Sequence, residues 1–134
     1  MDFETLHAVI RSRVRDEYAD VHGVAVEYDN APFTKPNRTL WARCQVFVDA
    51  ANQADFGAST KRYRYRGMLR MSIFSPSNAG DRSALENADI IKDLFRAQTI
   101  SGVTFGTPNA RTIGRVEGEY QINVDVPFYA DEVA

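Results

Sequence analysis

The sequence predicts an α+β domain: a single antiparallel or mixed sheet, two helices packed on one of its faces, and a long projecting β-hairpin. Three observations predict it. The elements read in the order α, β, β, β, α, β, β, β and are linked mostly by turns, not by the helical crossovers of an all-parallel sheet. The strands alternate apolar and polar side chains, as strands with one buried and one solvated face do. The stretch Lys61 to Ser75, KRYRYRGMLRMSIFS, keeps that alternation almost unbroken. Tyr63, Tyr65, Leu69, Met71 and Ile73 share one parity; Arg62, Arg64, Arg66 and Arg70 share the other. At about 3.3 Å per residue this strand reaches on the order of 45–50 Å. A small domain has no core that long, so part of the strand is expected to project.

The first element is an amphipathic helix over residues 2–21. Phe3, Leu6, Ile10, Val14 and Tyr18 recur at spacings of three and four and form one stripe. Asp2 is placed to cap it, and Gly23 follows its last turn. Residues 24–28 read as a short strand. Residues 29–38 hold Pro32 and Pro36 and read as turn and loop. Residues 40–50 form a second strand, with Ala42, Cys44, Val46, Val48 and Ala50 on one face and Trp41, Arg43, Gln45, Phe47 and Asp49 on the other. The small residues of the first face predict close packing against a helix. Residues 51–60 read as a loop joining this strand to the long one in a hairpin.

Residues 75–81 break the chain with Pro76 and Gly80. A second helix is predicted over 82–98, with Asp81 or Ser83 as its N-cap and Ala84, Leu85, Ala88, Ile91, Leu94 and Phe95 as its stripe. Short strands follow at 103–105 and 111–116, with a turn at 107–109. Gly118 closes a tight turn into a last strand over 119–128, where Tyr120, Ile122, Val124, Val126 and Phe128 face the core. Pro127 lacks an amide donor, so the strand is expected to leave the sheet or to be an edge there. Residues 131–134 read as a polar tail. No internal repeat or low-complexity tract is present.

The bulk properties bound the answer. The 134 residues suit one domain spanning 1–134, large enough to need no metal or disulfide staple. No apolar run approaches the ~20 residues of a membrane helix. The N-terminal MDFETLHAVIRSRVRDE lacks the basic-then-apolar plan of a secretory signal. Cys44 is alone, which excludes an internal disulfide and fits a reducing compartment. Net charge is −2 but uneven: −3 over residues 1–55, +5 over 56–80 and −4 over 81–134. The chain as a whole lacks the basic excess of a dedicated nucleic-acid binder.

The residues do not assemble a recognisable catalytic motif, and the reading is of a protein that is not an enzyme and carries no cofactor or metal. His7 and His22 have no ligands at metal spacing and read as structural. Cys44 falls on the small-residue face and reads as a buried thiol. Gly57 to Lys61 resembles a phosphate loop only superficially, because the G-K-[ST] ending and the following helix are missing. Asn37-Arg38-Thr39 matches a glycosylation acceptor, but no secretory signal accompanies it. Glu117 and Glu119 flank a turn glycine and read as solvated turn charges, not an acid/base pair.

The basic strand leaves three readings open. Its charge protects an exposed edge from unwanted pairing; or it is a surface for a partner, a further subunit or DNA passing close by; or it binds nucleic acid, with arginines on phosphates and Tyr63 or Tyr65 stacking on bases. Parity argues against the last, because tyrosines and arginines point to opposite faces. An acidic counterpart exists: between Glu117 and Glu132 there are five acidic residues and no basic ones. A positive surface (Arg62, Arg64, Arg66, Arg70) and a negative one (Glu117, Glu119, Asp125) suit a head-to-tail contact, which closes into a ring when the rotation allows.

These features, taken in order, resemble the tail terminator-like proteins of long-tailed bacteriophages. The resemblance rests on the N-terminal amphipathic helix, the segment VEYDNAPF at 26–33, and the hairpin with R-x-R-G-M-L at 64–69. IFSP at 73–76 precedes a Gly-bearing turn, the second helix carries Ala88-Asp89 and Leu94-Phe95, and GEYQINVDVPF closes at 118–128. It implies a structural α+β subunit that forms a ring, typically a hexamer, on the end of the tail tube. Such a ring stops tube polymerisation and joins tail to head. The partners implied are further copies of itself, the tail tube protein and a head–tail connector protein, with DNA near the ring channel. The place implied is the virion tail or neck, assembled in the cytoplasm of the host bacterium. The family is not defined by a catalytic motif. A head–tail connector of the neck remains the alternative, with a small nucleic-acid-binding module on residues 61–70 behind it.

Overall fold

The structure is a computed structural model and describes residues 2–53 and 62–133. It is an α+β fold built on one curled, mixed sheet. The first helical segment comprises α1 (Phe3–Val14), a π-helical turn (Arg15–Ala19) and α2 (Asp20–His22). Strands β1 (Ala25–Tyr28), β2 (Trp41–Gln53) and β3 (Arg62–Pro76) follow. Then come α3 (Arg82–Phe95), β4 (Thr99–Ile100), β5 (Val103–Phe105), β6 (Asn109–Val116) and β7 (Glu119–Val133). The strand order is β1-β2-β3-β7-β5-β4, and β6 also pairs with β7. Among the described residues only β1 and β2 run parallel; every other pairing is antiparallel.

The first helix begins where expected. The Thr5 amide donates to Asp2 Oδ1 at 2.7 Å, and Gly23 adopts φ 65° after the last turn, a conformation glycine takes without a Cβ penalty. Leu6, Ile10, Val14 and Tyr18 are fully buried. A strict spacing of four drifts about 40° per step around a 3.6-residue helix. The π turn at 15–19 widens the helix and takes up part of that drift, so Tyr18 still points inward. Its hydroxyl then donates to Asn87 Oδ1 of α3 at 2.8 Å. Phe3, placed in the stripe by spacing, is instead exposed and packs on His7, because the helix starts beyond the edge of the core.

One face of the sheet carries the core. The register aligns Ala42, Ile73 and Ile122, then Cys44, Met71 and Val124, in rows across β2, β3 and β7. These residues and the buried faces of both helices form one hydrophobic cluster. Burial pushes the Cys44 thiol up to about 12. Gly67 lies where the sheet is tightest. A Cβ there would run into the Phe47 carbonyl and come within 2.7 Å of Phe128 Cζ.

Several expectations change. β3 is central, paired with β2 on one side and β7 on the other for its whole length, so its charge does not protect an edge. β2 continues through residues 51–53, which were expected to be loop; the rest of that loop and the Gly57–Lys61 segment lie outside the described residues. α3 ends at Phe95, not 98, and Leu85 in its stripe is exposed. Asp81 holds its N-cap position but makes no side-chain cap hydrogen bond. β6 begins at Asn109, inside the expected turn. β7 does not stop at Phe128 but runs to Val133, so the expected tail is strand. Pro127 is accommodated because it falls between two partners: β6 pairs with β7 only as far as Asp125, and β5 starts at Phe128. The Pro127 carbonyl accepts from the Gly106 amide at 2.8 Å, so its missing N–H would have pointed to that same gapped side.

Two outcomes follow. Gly67→Ala is expected to destabilise the fold by about 1–3 kcal/mol through overpacking against backbone and the Phe128 ring, read as a lower denaturant midpoint. The Cys44 thiol is expected to react with a disulfide reagent in denaturant but not in native buffer at about pH 8, because it is buried and protonated there.

Candidate partner interface

The sheet face opposite the core carries the charged residues singled out by the sequence. On β3 the even positions meet the odd positions of β7, so Arg70 lies across from Asp125, Arg64 from Asp131 and Arg66 from Tyr129. Arg70 binds Asp125 with two hydrogen bonds, Nε to Oδ1 at 2.8 Å and Nη2 to Oδ2 at 3.2 Å. Arg64 binds Asp131 the same way, at 2.8 and 3.1 Å, and its guanidinium sits 4.3 Å from the Tyr129 ring centroid. Arg62 Nε approaches Asp131 at 4.0 Å. The fork geometry makes the two bidentate pairs stronger than ordinary surface ion pairs, which contribute about 0–1 kcal/mol. The hydrogen bond from Arg64 is the main reason the Asp131 carboxyl is held below its ordinary value of 3.8. On the core side of the same strands, the Tyr65 hydroxyl donates to Glu132 Oε2 at 3.0 Å.

Glu119 has a different task. Its two oxygens accept from Lys35 Nζ and from Trp41 Nε1, each at 2.7 Å. It thereby ties the loop between β1 and β2 to the end of β7. Beneath this tie lies an aromatic cluster that sequence reasoning missed. Trp41 stacks on Phe74 with centroids 4.2 Å apart and planes 13° apart, and Phe33 from the loop reaches Trp41 at 5.4 Å. Arg43 covers both rings of the stack while its Nε pairs with Glu27 at 2.6 Å. Trp41 and Phe74 are buried although they sit on the charged side of their strands. The signal was available: both aromatics have the outward parity and end their strands at the same level. Glu117 occupies the two-residue β6–β7 turn with φ 49°, next to Gly118 at φ 81°. Two successive positive φ values are those of a type I′ hairpin turn.

The structure thus brings the predicted basic and acidic residues together within one chain. Arg62, Arg64, Arg70 and Asp125 meet partners across β3 and β7, and Glu119 meets the loop. Arg66 is exposed, and neither Arg66 nor Glu117 forms an ion pair among the described residues. With Arg64 and Arg70 held by carboxylates on either side of Arg66, the ribbon does not present the continuous row of open cations that phosphate binding requires. His7 Nδ1 meets the Phe3 carbonyl at 2.8 Å, a local helix contact. Among the described residues no group of three or more His, Cys, Asp or Glu is placed to hold a metal ion. Among the described residues no helix is long and apolar enough to cross a membrane.

Because the folded Asp131 pKa is depressed, the stability its pair with Arg64 contributes is present above about pH 4 and is lost as pH falls through the folded value. Asp131→Asn is therefore expected to lower the urea midpoint at about pH 7, with the difference from the parent chain shrinking at about pH 3. An unchanged difference at the lower pH would count against the pair as its source.

Comparisons with known proteins bear on the whole chain. A solved structure 20% identical in sequence superposes with a TM-score of 0.75, covering 98% of this chain and 96% of that one. That likeness shows a shared fold. A search of the curated proteins finds no match. A family model described as phage tail terminator protein matches residues 5–128, from the first turn of α1 to the core end of β7. The chain belongs to the phage tail terminator protein family.

Proposed function

We propose that this protein is a structural subunit of the virion tail that assembles as a hexameric ring on the end of the tail tube. The ring stops tube polymerisation and offers the surface that joins tail to head. The observation that carries this reading is the family match across nearly the whole chain. The architecture supports it in two respects. Among the described residues both helices bury their apolar faces on the core side of the sheet, leaving the charged face without one. The distal parts of β3 and β7 are latched by Arg64 with Asp131 and Tyr65 with Glu132, which suits an arm projecting beyond the core. Arg66 and Glu117 are the members of the predicted contact set that we assign to partner contacts. Arg62, Arg64, Arg70, Glu119 and Asp125 shape that surface through their bonds within the chain.

In this role the partners are further copies of the chain, the tail tube protein and a head–tail connector protein, and the packaged DNA runs near the ring channel. Native mass measurement with added tail tubes is expected to find an assembly of about six times the 15.1 kDa chain. Phage lacking the protein are expected to make tails of uncontrolled length. If the chain ignored tubes and bound filled heads instead, the neck-connector role would replace this one.

A further inference from the structure

The charge segregation seen in the sequence is spent inside the chain at β3 and β7, but not everywhere. β6 is paired on one side only, to β7. Seven of its eight residues are exposed, so neither of its faces is covered, and Ala110 and Thr112 continue the core side of the sheet with nothing over them. α3 touches β6 yet stops short of covering it: Leu85 of α3 stays 45% exposed, as do Ile113 (39%) and Val116 (42%) of β6, with Val116 on the charged face beside Trp41 and Phe74. The strand carries Arg111 and Arg115 and no acidic residue. Arg115 reaches only Asn78, at 3.3 Å, and Arg111 has no ion pair among the described residues. An eight-residue edge that is both apolar and basic invites pairing unless something occupies it.

A surface of opposite character lies elsewhere on the same molecule. A groove runs between the outer face of α1 and the β4–β5 turn, with Ala8, Val9 and Ile100 along it and Glu4, Asp16 and Glu17 at its rim. Glu4 forms no ion pair among the described residues, while Asp16 is met by Arg15 at 3.0 Å. Arg13 also lines the groove, but its Nη2 donates to the Leu94 carbonyl at the end of α3, and its approach to Glu17 is a loose 3.9 Å. The rim is therefore net acidic. β6 pairs with Glu119–Asp125 of β7, whereas β5, which carries β4, pairs with Phe128–Ala130. The basic edge and the acidic groove thus sit toward opposite ends of β7, and a single chain cannot bring them together.

We infer that the free edge of β6 of one copy lies along the α1–β4 groove of the next, with Ile113, at the register shift, on Ala8, Val9 and Ile100, and with Arg111 and Arg115, which flank that edge on opposite faces of the strand, reaching the acidic rim from its two sides. The occupant is a second copy because charge and apolar character are complementary between two different surfaces of this one chain. Such a heterologous contact propagates head to tail and closes into a ring. The inference rests on the ring reading above and specifies which surfaces make the ring.

The test is a charge swap read by native mass and sedimentation at low salt, with circular dichroism confirming that each variant folds. Arg111→Glu with Arg115→Glu, and separately Glu4→Lys with Glu17→Lys, are each expected to raise the concentration needed for assembly at least about tenfold. The chain carrying all four substitutions is expected to assemble again, since its edge is acidic and its groove basic. Assembly of both pairwise variants like the parent chain, or no recovery in the fourfold variant, overturns this contact and leaves the ring reading standing. Loss of tube binding with self-assembly unchanged also overturns it, because β6 would then belong to the tube protein. A parent chain that stays monomeric at every concentration and on added tubes overturns the ring and this contact together.

Discussion

β3 and β7 pair residue for residue from Arg62 with Val133 to Pro76 with Glu119, and the other placements follow from that register. Side chains alternate across a sheet, so a slip of one residue would exchange its two faces. With the observed register, Leu69, Met71 and Ile73 share the core side with Val126, Val124 and Ile122. The same register sets Arg70 against Asp125 and Arg64 against Asp131 on the other side. Apolar burial and ion pairing therefore select the same alignment. Burying the apolar rows supplies most of the stabilisation, at about 25 cal/mol per Å² of apolar surface. The arginine–carboxylate forks add little energy but penalise other alignments, which would leave those charges without their partners.

That alignment also decides where charge remains for other molecules. The most basic stretch of the sequence is partly neutralised because β7 brings Asp125 and Asp131 to its arginines. Glu119 is drawn into holding the β1–β2 loop over Trp41 and Phe74, an aromatic pair worth about 0.5–1.5 kcal/mol beyond its buried area. Unneutralised charge is left at the periphery: on β6, on the outer face of α1 and at Arg66. A chain organised this way keeps its unpaired charge at its margins, which suits a tail terminator that contacts other tail and head–tail proteins.

Much of this was legible in the residues. The helix stripe Leu6–Ile10–Val14–Tyr18, the Asp2 cap, the Gly23 stop and the inward parity of β2, β3 and β7 are local patterns, and a local pattern survives folding when one face is buried. The errors cluster where the answer depended on a distant neighbour. Phe3 and Leu85 have the right spacing but lie beyond the edge of the core. β7 was cut short at Pro127, because nothing local reveals that β6 ends at Asp125 and β5 begins at Phe128. Trp41 and Phe74 have outward parity and looked exposed, because burial there comes from a loop folding back.

The sequence by itself determined the α+β class, the identity of the long strands and which parity of each is apolar, since these follow from side-chain periodicity along the chain. Only the tertiary structure decided that β3 is central, that its arginines meet Asp125 and Asp131 within the same molecule, and that β6 is an edge. The Arg70–Asp125 and Arg64–Asp131 pairs join residues 55 and 67 positions apart, and periodicity along one segment carries no information about which segment will lie beside it.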